Sequence, residues 1–326
     1  NYSVPARNKK LTKTFIKNTL DKYNYIKNLL KKTPGGHAFH FSKKSIFEFT
    51  ESKRLKILEK AWLNGGLSFR ACFSDITKKI SANKIVSNFI RDKIKRIVKD
   101  KHIAKILTDF GHPFTTKRPT LNTNYFEIFN RTNVQLVDLK TNPIIKITKK
   151  GIKTKNEELK FDKIIFATGF DALSGPILSL NLTGRKNIKL KEYWKNGPKT
   201  FLGIMIPNFP NFFVISGPGS PSVLTNVPDQ IDQHLEWISK FIKHLEKVGC
   251  SKVEPGIKET ENWVKEINIL ANKSLFMKAK NSWYKGDNIP GKPKKFIPYP
   301  AGLPQYREIC NKVQKKMYKG FNISLK

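Results

Sequence analysis

Arginine and acidic residues are scarce in this chain. Of its 62 basic residues only nine are arginine and the rest lysine, against 25 aspartates and glutamates, so the formal net charge is +37. A charge of that size ordinarily points to nucleic acid or an anionic surface. The lysines, however, are scattered through every amphipathic segment, and a chain poor in arginine is poor in the planar donor that reads phosphate and guanine. Nucleic acid is therefore not an expected partner. Cys72, Cys250 and Cys310 stand far apart with no C-x-x-C pair, which fits reduced thiols in the cytoplasm. No run approaches the roughly eighteen apolar residues of a membrane span. None of the six histidines has a ligand spacing such as H-E-x-x-H, so no metal is expected. Neither G-x-G-x-x-G nor G-x-x-x-x-G-K-[ST] occurs, so the usual glycine fingerprints for dinucleotides and triphosphates are missing.

What is present is ample apolar sequence, 39% of 326 residues, enough for one large domain or two ordinary ones. Leu11 to Lys32 reads as an amphipathic helix through Phe15, Ile16, Leu20, Tyr23, Leu29 and Leu30, ended by Pro34, Gly35 and Gly36. Ser52 to Leu63 reads as a second helix. Ser81 is placed to cap a third over Ala82 to Val98, and Ile103 to Leu107 makes a short fourth. The pattern then changes. Asn133 to Leu139 alternates like a strand, Ile144 to Thr148 and Lys153 to Lys160 suggest a hairpin-like pair, and Lys163 to Ala167 reads as a buried strand. Strands and helices alternate from there, giving an α/β region after a helical one.

The run NFFVISGPGSPSVLTNVP, from Asn211, carries the most specific signal. Phe212 to Ile215 predicts a strand covered on both faces. Gly217, Pro218, Gly219 and Pro221 forbid regular structure, and Asn226 with Pro228 predicts a helix start. The helix that follows puts Ile231, Leu235, Ile238, Ile242 and Leu245 on one stripe. Strand, glycine loop and helix N-terminus is an arrangement that turns backbone N–H groups toward a polar or anionic ligand, and equally an ordinary connection.

With GPGSPSVLTNVP, then ENWV, then NSWYKGDNIPGKP, the chain resembles the C-terminal half of a class B flavoprotein monooxygenase of the Baeyer–Villiger type, similar to cyclohexanone monooxygenase. NYSVPARN, TKRPTLNTNYFEIFNRTNVQLVDL and FDKIIFATGFDA fit the same family in the same order, so the resemblance covers almost the whole chain. It implies a flavoprotein of two Rossmann-like dinucleotide-binding domains with a helical insertion. Residues 1–10 would be the tail of the first part of the NADP domain, 11–121 the insertion, 122–175 the rest of the NADP domain and 176–326 the C-terminal part of the FAD domain. The FAD βαβ unit, a fingerprint around His and Trp, and the NADPH glycine-rich unit would lie upstream of Asn1. The expectation is thus the C-terminal part of a longer protein, which alone holds neither cofactor tightly and does not turn over.

The resemblance also implies roles for individual residues. Lys117 and Arg118, in PFTTKRPT, would be the family's Lys-Arg pair. Most such dipeptides are solvated surface pairs, but here Arg118 would stabilise a flavin peroxide and the oxyanion formed when it attacks a carbonyl. Lys117 would contact the 2′-phosphate of NADPH. The family often has Asp where Asn122 stands. Thr168 and Gly169 would approach NADP by backbone, and Asn226 and Val227 would lie against the isoalloxazine. Ser222, Val223 and Leu224 would line the ketone pocket, with Phe296 as a further apolar wall. Trp283 would cover the nicotinamide ribose on a mobile segment completed by Asn288, Pro290, Gly291 and Lys292. FAD and NADP are the implied cofactors, a ketone and O2 the substrates, and an ester or lactone the product. A related N- or S-oxidising flavin monooxygenase, and a non-catalytic lysine-rich remnant or binding module, remain as alternatives.

Overall fold

The structure, a computed structural model, describes residues 1–325. Its first half is helical: α1 (Lys13–Asp21), α2 (Tyr23–Lys32), α3 (Glu51–Asn64), α4 (Ile80–Ile97) and α5 (Lys101–Thr108). The expected single helix over Leu11 to Lys32 is broken at Lys22 (φ −98°, ψ 10°). No residue of α1 or α2 is fully buried, and Phe15, Leu20 and Tyr23 of the anticipated apolar stripe are more than half exposed. α3 ends on Gly65 at φ +67°, a conformation glycine adopts without strain. Ser81 does not cap α4, which begins two residues earlier than expected, at Ile80, with Lys79 in the cap position. Asp100, by contrast, caps α5 by accepting from the Ile103 N–H at 2.8 Å. α3 to α5 pack around Leu58, Trp62, Phe69, Phe89, Ile90 and Ile94. Two short strands, β1 (Ser3–Pro5) and β2 (Thr120–Asn122), pair in parallel and tie the first residues onto this body. Asn122 donates to the Ser3 hydroxyl at 2.9 Å.

The middle of the chain departs from its pattern. Asn133 to Leu139 forms no strand. β3 (Ile144–Ile147), β4 (Gly151–Thr154) and β5 (Glu158–Lys160) make a three-stranded antiparallel sheet, so the segment Lys153 to Lys160 contains a turn and supplies two strands. Lys163 to Ala167 is neither strand nor buried: Ile165 is 91% exposed and Phe166 65%. A strand without neighbours leaves its peptide groups unpaired, and among the described residues this segment has none. Phe212 to Ile215 forms no ladder either, but it does find a partner: an isolated antiparallel bridge joins Phe213 to Met205, and the Val214 N–H donates to Ile204 O at 2.7 Å.

Short helices α6 (Gly175–Leu178) and α7 (Leu190–Tyr193) lead to the C-terminal core. This is built from α8 (Val227–Lys247), β6 (Cys250–Pro255), α9 (Ile257–Asn272), α10 (Leu303–Lys315) and β7 (Phe321–Leu325), with β6 and β7 antiparallel. α8 starts where expected, with Asn226 as its cap and a proline in its first turn. Its buried face keeps Ile238 and Leu245 of the expected stripe but is rotated toward Gln230, His234, Trp237 and Phe241, while Leu235 and Ile242 are 46% and 40% exposed. Polar partners explain the rotation. The Ser216 N–H donates to His234 Nδ1 at 3.3 Å, and the Tyr306 hydroxyl lies 2.7 Å from Nε2 while donating to Leu202 O at 2.6 Å. Fully bonded, this imidazole sits in the core at little cost. No helix of the described residues is long and apolar enough to cross a membrane.

Candidate functional site

Three loops distant in sequence meet at a cavity of about 420 Å³. Arg118 arrives from the loop after α5, Arg70 from the turn after α3, and Leu224 from the 3-10 turn Ser222–Leu224 ahead of α8. The loops are fastened by their backbones. The Asn226 N–H donates to Gly35 O at 2.7 Å, the Leu303 N–H to Pro34 O at 2.9 Å, and the Leu275 N–H to Thr77 O at 3.1 Å. Apolar walls come from Phe41, Phe73, Ile76 and Phe276, and Tyr284 closes one side. No aspartate or glutamate faces this space.

The electrostatics follow from that absence. Arg70 takes part in no ion pair or side-chain hydrogen bond among the described residues, and its Nε is buried without a partner. Burial pulls its guanidinium below the ordinary value, with Tyr284 opposing and Arg118 reinforcing the shift. His37, beside Arg70, is lowered to about 4, first by burial and then by Arg70 and Arg118. The Tyr284 phenol is pushed up to about 12 by burial, against the pull of both arginines. Gly35 makes the approach possible: a Cβ there would stand 2.5 Å from Arg70 Nη2.

The residues singled out in the sequence divide between this cavity and its surroundings. Arg118 and Leu224 line it. Ser222 is buried behind the wall with φ +44°, and Val223 packs onto the C-terminal core. Asn226 and Val227, both half-buried, begin α8 next to Gly35 and Gly36. Lys117 is half-buried; burial lowers its ammonium, with Asp287 opposing and Lys285 adding to the shift. That couples Lys117 to the Trp283 segment, which is pinned by a buried Lys285–Asp287 pair at 3.0 Å and by Asp287 accepting from the Ser282 N–H at 2.5 Å. Trp283 itself packs against the C-terminal core with its ring centroid 4.9 Å from that of Tyr284, and Tyr284 is the residue that reaches the cavity. Phe296 faces a separate cavity of about 220 Å³ beside Gly219, and supports the first one indirectly by stacking on Phe276 at 5.3 Å. Thr168 and Gly169 lie on the exposed Phe166–Asp171 segment, away from the cavity. An ion pair between Lys292 and Asp171 nonetheless ties that segment to the Trp283 loop. Arg70 and Tyr284 escaped the sequence reading. The available signal for Arg70 was a rare arginine set in the apolar turn LSFRACF.

No protein-family model matches the chain. It is 37% identical over 320 residues to a Baeyer–Villiger monooxygenase of Pseudooceanicola batsensis, covering 97% of this chain and 58% of that protein. It is 33% identical over 325 residues to a phenazine N-monooxygenase of Lysobacter antibioticus, covering 98% of this chain and 59% of that one. Its structure superposes on cyclohexanone monooxygenase from Rhodococcus sp. Phi1 bound to NADP+ with a TM-score of 0.95 at 34% identity, over 100% of this chain and 61% of that one. The chain thus spans about three fifths of the relatives it matches. In sequence and in fold, these 326 residues are related over nearly their whole length to flavoprotein monooxygenases of the Baeyer–Villiger type.

Proposed function

We propose that these residues are part of an FAD- and NADPH-dependent monooxygenase that inserts one oxygen atom of O2 into a ketone, giving an ester or lactone. The observation that carries the reading is Arg118 on the wall of a largely apolar, carboxylate-free cavity, in a chain related along its length to Baeyer–Villiger enzymes. The residues present suit electron-rich, phosphate-bearing cofactors: unpaired cationic groups converge, and buried nitrogens of Arg70 and His37 have no protein partner. When bound, the flavin and nicotinamide supply the electron transfer and the activation of oxygen.

The chain supplies charge, orientation and exclusion of water. Arg118 holds a fixed positive charge where negative charge develops on oxygen, without solvent reorganisation. Lys117 is assigned to the NADPH 2′-phosphate, Thr168 and Gly169 to NADP, Asn226 and Val227 to the isoalloxazine, and Trp283 to the nicotinamide ribose. Leu224, with Ser222 and Val223 behind it and Phe296 supporting Phe276, limits substrate size. On this reading residues 1–10 and 122–175 serve the NADP domain, 11–121 form its insertion and 176–326 serve the FAD domain. Three unpaired thiols suit a cytoplasmic setting.

The test is the product of the complete coding region, supplied with NADPH, O2 and cyclohexanone, with an amine and a sulfide in parallel. Lactone formation is expected, reduced about 10²–10³-fold in Arg118→Ala. N-oxide or sulfoxide without lactone would replace this reading with N- or S-oxidation. A protein that binds no flavin would leave a lysine-rich binding module.

A further inference from the structure

α1 is a helix that the rest of the fold hardly uses. Of its nine residues only Thr19 is even half-buried. Its neighbour α2 is seated differently: Ile26, Leu29 and Leu30 are half-buried, and the turn that follows is fastened through Pro34 and Gly35. So short a helix is marginal in water and is held by whatever covers its apolar face. α1 has such a face. Phe15, Ile16 and Leu20, with Leu11 just ahead of the Thr12 cap, fall within half of the helix circumference and are 45% to 66% exposed. Tyr23 and Tyr25, at the start of α2, are exposed as well.

Charge indicates what the cover is. Residues 9–32 hold eight lysines, twice the density of the chain as a whole, against the single acid Asp21 and no arginine. All eight are exposed, and none forms an ion pair among the described residues. A protein partner is disfavoured, because interfaces between proteins are depleted in lysine and enriched in arginine. Nucleic acid would engage the lysines and leave Phe15 and Leu20 in water. An anionic lipid surface satisfies both groups at once. The apolar side chains enter the boundary of the acyl region, while lysine stems lie along it and their ammonium groups reach the headgroups. We propose that α1, with the start of α2, lies on an anionic lipid surface as an interfacial helix and holds the protein to a membrane without crossing it. The site is separate from the proposed oxidation and is tested without turnover.

The experiment is co-sedimentation of the product of the complete coding region with two kinds of vesicle, phosphatidylcholine alone and an equimolar mixture with phosphatidylserine. Binding to the mixture should be at least about tenfold tighter, and should weaken as salt is added. Replacing the apolar face with Phe15→Asn and Leu20→Asn should weaken it about tenfold or more. So should Lys13→Gln with Lys17→Gln, by about tenfold. Lys149→Gln with Lys150→Gln removes the same charge from the exposed turn between β3 and β4 and should leave binding unchanged, which controls for general attraction by so basic a protein. All of these side chains are exposed, so the variants should fold, and a thermal melt of each checks this. Equal binding to the two kinds of vesicle, or binding that survives loss of Phe15 and Leu20, would overturn the proposal. An equal loss at Lys149 and Lys150 would do the same. Tighter binding to duplex DNA, weakened by the Lys13 and Lys17 changes alone, would assign the helix to nucleic acid instead. Vesicle binding by the 326-residue chain but not by the complete product would mean that other parts of the protein cover α1, and would also overturn it.

Discussion

The helical body before residue 110 and the segment between residues 133 and 170 both carry regular apolar patterns, yet they fare differently. In the first, α3 to α5 form close to their expected places, and Leu58, Trp62, Ile90 and Ile94 are buried as their spacing requires. In the second, the two strands expected over Asn133–Leu139 and Lys163–Ala167 are absent, and Ile165 and Phe170 stand 91% and 89% exposed. The difference lies in where backbone hydrogen bonds close. A helix pairs its own N–H and C=O groups four residues apart, so its sequence contains its partners. A strand needs a neighbour, and an apolar strand pattern records only that one is required. β3 to β5 succeed in between because their partners are adjacent in the chain.

That contrast can be broken most severely in the cores. Phe69→Ala, at the centre of the helical body, should cost about 3–5 kcal/mol in urea unfolding. Phe170→Ala, which removes a ring already in solvent, should change stability by no more than about 0.5 kcal/mol. Comparable losses at the two sites would mean that the exposed segment is packed. Asp287→Ala tests the loop that sequence reading assigned to Trp283. It strands the Lys285 ammonium in a buried position and should destabilise by about 3 kcal/mol. Limited proteolysis should then cut first between residues 282 and 292. The smallest effect is expected for Leu235→Lys on α8, within about 0.5 kcal/mol, because the buried face runs through His234 instead. A large loss there would restore the stripe drawn from hydrophobicity alone.

Part of the cavity lining was legible because its residues sit in short ordered motifs. The Asn226 cap and the placing of Arg118 and Leu224 came from local pattern and from resemblance carried by several collinear segments. What was not legible depends on through-space neighbours. Arg70 matters because Gly35, Phe41 and Arg118 surround it, and none is near it in sequence. Tyr284 rather than Trp283 reaches the cavity because the turn fixed by Lys285 and Asp287 sets which ring faces inward. The rotation of α8 was hidden for a similar reason, since a periodicity count cannot know that His234 and Tyr306 will pair.

The central claim is that residues 37, 70 and 118 assemble one electropositive, water-poor site. His37 reports on it, since burial and the two arginines hold its imidazole near 4 in the fold against about 6.5 when unfolded. Its contribution to stability is therefore complete above pH 6.5 and is lost as pH falls toward 4. The most direct measurement is a pH titration of the His37 ring by NMR of histidine-labelled protein, assigned with His37→Gln. The account predicts an imidazole still neutral at pH 5 in the wild type and titrating at higher pH in Arg70→Gln. A His37 that titrates near 6.5 in the wild type, unmoved by the loss of Arg70, would contradict it.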